Sequence, residues 1–199
     1  GFLEQDGLYN AGLRGAKNQQ WQGGTCVPFF LHWPGIADKG LDNYTLGSGM
    51  DILPTFCDII GVKPDDPDLQ GHSLLNDILD KPSSIPQDRV LINHGGRWTY
   101  PTEMESYKYN ASMITNRFRL VWERESKSNK DAKRSLALYD YRTDFGEQEN
   151  IVDQHPELVE KLQAMYEPWW KAAKKGMVND LHQMKKGKLI GPSSSQNKR

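Results

Sequence analysis

The chain has 199 residues, 25 of them Lys or Arg and 26 Asp or Glu, so a formal charge of -1 leaves no chain-wide field to draw a nucleic acid or an anionic membrane. Hydrophobic residues make up 37% and charged residues 26%, the balance of a folded chain rather than a disordered one. No stretch approaches the roughly 20 apolar residues of a membrane span. Cys26 and Cys57 fit neither a zinc-ligand spacing nor a disulfide scaffold, and both read as buried free thiols.

Glycines at 7, 12, 15, 23 and 24, with polar residues between them, make the opening an irregular loop of the kind that lines sites. Val27 to Trp33 is a nearly unbroken apolar run between Gly23-Gly24 and Pro34-Gly35, which predicts a strand buried on both faces. Ile52, Leu53, Phe56, Ile59 and Ile60 fall on one helical face, with Asp51 as cap, Pro54 in the first turn and Gly61 as stop. Between turns at Pro64-Asp65-Asp66-Pro67 and Lys81-Pro82-Ser83-Ser84, the residues Leu74, Leu75, Ile78 and Leu79 suggest one short helix.

A boundary near residue 85 separates this part from a second. Arg89 to Asn93, Ala111 to Thr115, Arg117 to Glu123 and Ser135 to Tyr141 read as a small antiparallel sheet, with the charged stretch Arg124 to Lys133 as a hairpin loop. Pro156 opens a helix in which Leu158, Val159, Leu162, Met165 and Tyr166 keep the 3.6-residue period and should cover that sheet. Pro168 should kink or restart it, since its ring meets the carbonyl of Ala164. The expected organisation is therefore α/β with an α+β C-terminal part: residues 1–85 as the end of an α/β sheet domain, 86–184 as a small sheet plus helix, and 185–199 as a frayed tail.

Chemistry concentrates in the glycine-rich opening, where Arg14 and Lys17 could hold an anion. Gly12 to Lys17 is neither a Walker loop nor a dinucleotide fingerprint, so a bland solvated loop remains open at this point. His94, Arg97 and Trp98 lie in Asn93-His94-Gly95-Gly96-Arg97-Trp98, a polar and aromatic cluster after a strand, either contacting substrate or ordered by local hydrogen bonds. Trp98 and Tyr100 either stack on a ring or pack. His32, His72, His155 and His182 read mainly as structural. Asn43-Tyr44-Thr45 and Asn110-Ala111-Ser112 are glycosylation sequons that matter only in a eukaryotic secretory setting.

Lys17 is followed after four residues by Gln22-Gly23-Gly24 and after two more by Val27-Pro28, with Trp33-Pro34-Gly35 next. This series resembles the sulfatase family's Lys, four residues, Glu-Gly-Gly, two residues and Val-Pro. Met50-Asp51-Ile52-Leu53-Pro54-Thr55 resembles its Asp-apolar-apolar-Pro-Thr helix start, and Gln70-Gly71-His72-Ser73-Leu74 its Asp-Gly-x-Ser-Leu turn. Leu138-Tyr139-Asp140, then Asp144-Phe145-Gly146-Glu147 with Asn150, then His155-Pro156-Glu157, resemble the segments before its last helix. The order is the family's, over about residues 7 to 175.

The resemblance implies an alkaline-phosphatase-like fold and an intact parent that hydrolyses sulfate esters with formylglycine and calcium. Lys17 matches the lysine that contacts the sulfate and the leaving-group side, and Arg14 either joins it or structures the loop. Gly1 looks like the glycine that follows the family's last Asp-Asn metal pair, so nucleophile and metal ligands are expected before it. This chain alone is then expected to bind neither calcium nor formylglycine, and to be inactive. Expected partners are a sulfated carbohydrate or aryl sulfate and the missing N-terminal part of the same protein, in a periplasmic or secreted parent. Gln22 in place of Glu and Cys26 in place of Arg depart from the pattern. Two other readings stay open: a non-catalytic module that binds a sulfated glycan through Arg97 and Trp98, and part of a phosphoesterase or phosphonate hydrolase of the same superfamily.

Overall fold

The structure, a computed structural model, describes residues 9–37, 40–95, 111–124 and 134–175. Its centre is an antiparallel sheet of β1 (Leu91–His94), β2 (Ala111–Ile114), β3 (Phe118–Arg124) and β4 (Arg134–Asp140), in that spatial order. The register pairs Ile92 with Met113, Met113 with Leu120 and Leu120 with Leu138, which puts these residues on one face. Side chains alternate along a strand, so Arg119, Val121 and Glu123 of β3 face the other way, with Ser112, Ala137 and Tyr139.

Helix α4 (Pro156–Lys175) covers the first face. Val159, Leu162, Tyr166 and Trp170, at helical spacing, pack with Met113, Leu120, Trp122 and Leu138 in one buried cluster. Burying each of these large side chains contributes roughly 1.5–3 kcal/mol. The helix runs through Pro168 without the expected restart. Pro168 is exposed, so the carbonyl it deprives of a partner lies on the solvent side, while Tyr166, Trp169 and Trp170 hold the turns around it by packing. No helix among the described residues is long and apolar enough to cross a membrane.

The N-terminal part departs further from expectation. Val27 to Trp33 is not a strand: Val27 is 75% and Phe30 91% exposed, and no strand pairs with it among the described residues. An apolar run becomes a strand only when neighbours take its N–H and C=O groups. Cys26 is exposed and Cys57 half-buried, so the thiols are free but not both buried.

Helix α2 (Ile52–Ile59) forms as read and ends in a Schellman motif. Gly61 is left-handed (φ 69), its N–H reaching the Asp58 carbonyl, while that of Val62 reaches Cys57. Its apolar face is turned outward, however. Leu53, Phe56 and Ile60 are exposed and the buried residues are Pro54 and Thr55.

Asp51 does not cap α2 through its side chain. It closes a capping box with Ser48 over the 3-10 turn Gly49–Asp51, and its fully buried carboxylate takes both Arg89 nitrogens at 2.7 and 2.8 Å. The same carboxylate accepts the His72 N–H at 2.9 Å, and Thr55 Oγ1 accepts the Leu74 N–H at 2.9 Å. A Cβ on Gly71 would stand 1.9 Å from the Met50 carbonyl oxygen, which is why glycine precedes His72. This junction joins α2, the turn before α3 (Leu75–Ile78) and the approach to β1.

Burial raises the Asp51 pKa, but Arg89 and the His72 and Ser48 amides outweigh it, and the carboxyl sits below its ordinary 3.8. The junction's stabilisation is therefore present above pH 3.8 and lost as pH falls through the lowered, folded-state value. We expect Arg89→Met to destabilise the chain by about 3–5 kcal/mol, because it leaves a buried carboxylate uncompensated. In urea unfolding followed from pH 7 to 3, the wild type should lose stability on the acid side and the variant should have lost that dependence.

Candidate functional site

Lys17 stands on a tight turn. The Gln19 N–H reaches the Ala16 carbonyl at 2.9 Å, Asn18 is left-handed (φ 69), and Gln19 Oε1 accepts the Ala16 N–H at 2.7 Å. Only an asparagine-like or glycine residue takes that third position readily. Lys17 is exposed beside it, and its ammonium has no hydrogen bond or ion pair among the described residues.

The short helix α1 (Gln22–Thr25) folds back under this turn. A Cβ on Gly23 would lie 2.2 Å from the Gly15 carbonyl oxygen, and one on Gly24 would lie 2.2 Å from that of Gln19 and 2.5 Å from that of Ala16. Gly23 N–H also reaches the Arg14 carbonyl at 2.8 Å. Two backbones touch here, and the Gly-Gly pair six and seven residues after Lys17 is what lets them.

The loop then docks on the sheet face opposite α4. Trp21 packs on Val121, Ala137 and Tyr139. Glu147, fully buried and itself left-handed (φ 51), accepts the Gln22 N–H at 2.8 Å and lies 2.6 Å from Arg119 Nε. That last approach is a charge contact more than an aligned hydrogen bond. Arg119 also donates at 3.0 Å to the Gln20 carbonyl and at 3.0 Å to Thr25 Oγ1. Burial pushes Glu147 up and Arg119 down from their ordinary values, with each partner pulling the other back.

Arg14 is committed to protein partners. It donates to the Tyr139 hydroxyl at 2.8 Å and the Glu147 carbonyl at 2.9 Å, pairs with Glu123 at 3.1 Å, and lies over the Trp21 ring. Burial and the hydrogen bond to Glu123 push the Tyr139 phenol up to about 12, so it stays protonated.

The other site residues do not join this loop. His94 lies on the α4 face, its ring 5.0 Å from that of Trp170, and is thus separated from the Lys17 loop by the sheet. Arg97 and Trp98, with Tyr100, lie outside the described residues. Among the described residues no group of three or more His, Cys, Asp or Glu could hold a metal ion. Arg119 and Glu147 went unnoticed as loop anchors. A signal for them existed: apolar Val121 between Arg119 and Glu123 says that this face of β3 is covered too.

A sheet with a packed helix on one face and a glycine-backed turn bearing Lys17 on the other, carrying the ordered motifs, is the frame of a sulfatase-type C-terminal domain. Residues 17–172 match the family described as N-sulphoglucosamine sulphohydrolase, C-terminal, and the chain belongs to that family. It is 28% identical over 166 residues to the N-acetylgalactosamine-6-O-sulfatase of Bacteroides thetaiotaomicron, covering 77% of this chain and 29% of that protein. It is 37% identical over 73 residues to human arylsulfatase D, covering 36% of this chain and 12% of that one. A solved structure from the glycosaminoglycan metabolism of B. thetaiotaomicron has the same fold, with a TM-score of 0.58 at 22% identity over 79% of this chain and 32% of that one. The chain thus spans less than a third of the length of these relatives.

Replacing Gly24 by Ala should force the Lys17 turn off α1, because the new methyl meets two backbone oxygens that cannot rotate away. The expected cost is about 1–3 kcal/mol in urea unfolding. Amide exchange should speed most over residues 16–25, with the β3–β4 amides speeding no more than the global loss of stability requires.

Proposed function

We propose that this chain is the C-terminal part of a sulfatase acting on a sulfated carbohydrate, and that Lys17 meets the sulfate ester on its leaving-group side. The observation that carries this reading is an uncommitted ammonium on a turn whose backbone is fixed on every side. Charge develops on the bridging oxygen as the S–O bond breaks, and a cation already in place stabilises it without reorganisation. A carbohydrate substrate is supported by the substrates in the names of the family and of the B. thetaiotaomicron relative.

Neither Cys26 nor Cys57 lies in a Cys-x-Pro-Ser-Arg motif. This reading assigns the formylglycine and the calcium to the rest of the protein. That remainder is also the proposed cover for two exposed apolar surfaces, the 27–31 run and the outward face of α2 at Leu53, Phe56 and Ile60. Exposed patches of this kind mark interfaces. Arg14 serves the loop's structure in this reading. Arg97 and Trp98 are proposed as sugar contacts, a guanidinium for an anionic group and an indole for a ring face.

In the full-length protein that carries this chain, Lys17→Ala should lower kcat on an aryl sulfate by about 10²–10³-fold, the usual cost of removing one donor to a developing oxyanion. The purified 199-residue chain should give no turnover. Unchanged kcat in Lys17→Ala, or turnover by the chain alone, would sink the proposal.

A further inference from the structure

We propose that Glu147, with Arg119 and Arg14, is a positioning clamp for Lys17: the buried carboxylate ties the lysine-bearing loop to the antiparallel sheet and so sets where the ammonium stands. The inference rests on the reading of Lys17 given above and adds to it residues that touch no substrate.

Three observations carry it. The first is convergence. Glu147 takes one loop amide, Gln22 N–H at 2.8 Å, and holds Arg119, which takes the Gln20 carbonyl and the Thr25 hydroxyl. One ion pair therefore grips the loop at three points within six residues, Gln20 to Thr25, on the segment that lies directly beneath the Lys17 turn. Gly24 is in backbone contact with Ala16 and Gln19, the two ends of that turn, so a displacement of α1 is passed to Lys17 without a soft element between.

The second is conformation. Glu147 is a non-glycine residue held in the left-handed region (φ 51), which a chain keeps only where its surroundings over-determine it. Here its N–H is bound to the Asp144 carbonyl at 3.0 Å and its own carbonyl takes Arg14 at 2.9 Å. The strained backbone aims the carboxylate at Gln22 while offering the carbonyl to Arg14. The third is closure from the outer side. Arg14, three residues before Lys17, spans Glu123 of β3, Tyr139 of β4 and the Glu147 carbonyl, so the turn is held on both flanks.

A double-mutant cycle in the full-length protein tests the clamp. Glu147→Gln keeps the shape and removes the charge that holds Arg119. It should lower kcat on an aryl sulfate by about ten- to a hundredfold with little change in KM, the scale of a misplacement of about 1 Å. In a Lys17→Ala background the same substitution should cost at most about twofold, because there is no ammonium left to misplace. Glu147→Asp, which retains the charge, should recover part of the loss. Equal losses from Glu147→Gln in both backgrounds would overturn the clamp while leaving Lys17 as the sulfate contact. If Lys17→Ala itself changed nothing, both readings would fall together. Arg14→Lys breaks the outer flank and is read in the same cycle should Glu147→Gln fail to fold; additivity there counts against the clamp as well.

Discussion

The structure depends on a charge pair placed where charges are expensive. Arg119 and Glu147 are buried between the sheet and the loop above it, and burial works against both ionised forms. A buried pair of this kind is weak evidence for stability, since packed apolar side chains of similar volume often do as well. Its effect here is geometric. A loop backbone lying on a sheet carries amides and carbonyls that need partners. Leucine at 119 and 147 would bury the area and leave the Gln22 amide and the Gln20 carbonyl unpaired, at about 1–3 kcal/mol each.

That requirement explains why the two faces of one small sheet differ so much. Against α4, whose backbone is satisfied internally, the sheet presents Met113, Leu120, Trp122 and Leu138. Against the loop it presents Ser112, Arg119, Glu123 and Tyr139 around a small apolar patch. The strand alternation is thus not buried against solvated but helix-facing against loop-facing. His94 follows the first pattern and Tyr139 the second, which is how the sheet comes to divide the candidate site residues.

The strands and the last helix were legible because their patterns describe elements covered within this chain. Alternation set β2, β3 and β4 to within a residue or two, and the 3.6-residue repeat marked the face of α4 that is buried. The same reasoning misread Val27 to Trp33 and left the outward face of α2 unexplained, since periodicity says which side chains need cover and not what supplies it. Nor does local pattern reveal anchors distant in sequence. Gln22 and Glu147 are 125 residues apart, and Arg119 and Thr25 are 94 apart. Only the ordered motifs, through Glu147, touched that part of the structure, and they gave no hint of Arg119.

The two junctions are built alike, and the likeness bears on which motif residues carry chemistry. At each, a fully buried carboxylate takes one arginine and backbone amides from a distant loop: Asp51 with Arg89 and the His72 amide, Glu147 with Arg119 and the Gln22 amide. The first fastens α2 and its neighbouring turn to the approach of β1, and the second fastens the Lys17 loop to β3. Asp140 pairs with Arg117 at 2.7 Å, Asp144 takes the amides of Gln148 and Glu149, and Asn150 takes those of Leu138 and Val152. Asp140 also takes the Arg142 amide, so each of these polar motif residues is engaged in holding backbone. Lys17 differs in the direction that matters. Its turn is fixed by others, and its own charge is left unspent among the described residues. A cation kept rigid at its root and free at its tip is the arrangement that electrostatic stabilisation of a leaving oxygen requires, because the stabilising charge must be in place before the bond begins to break.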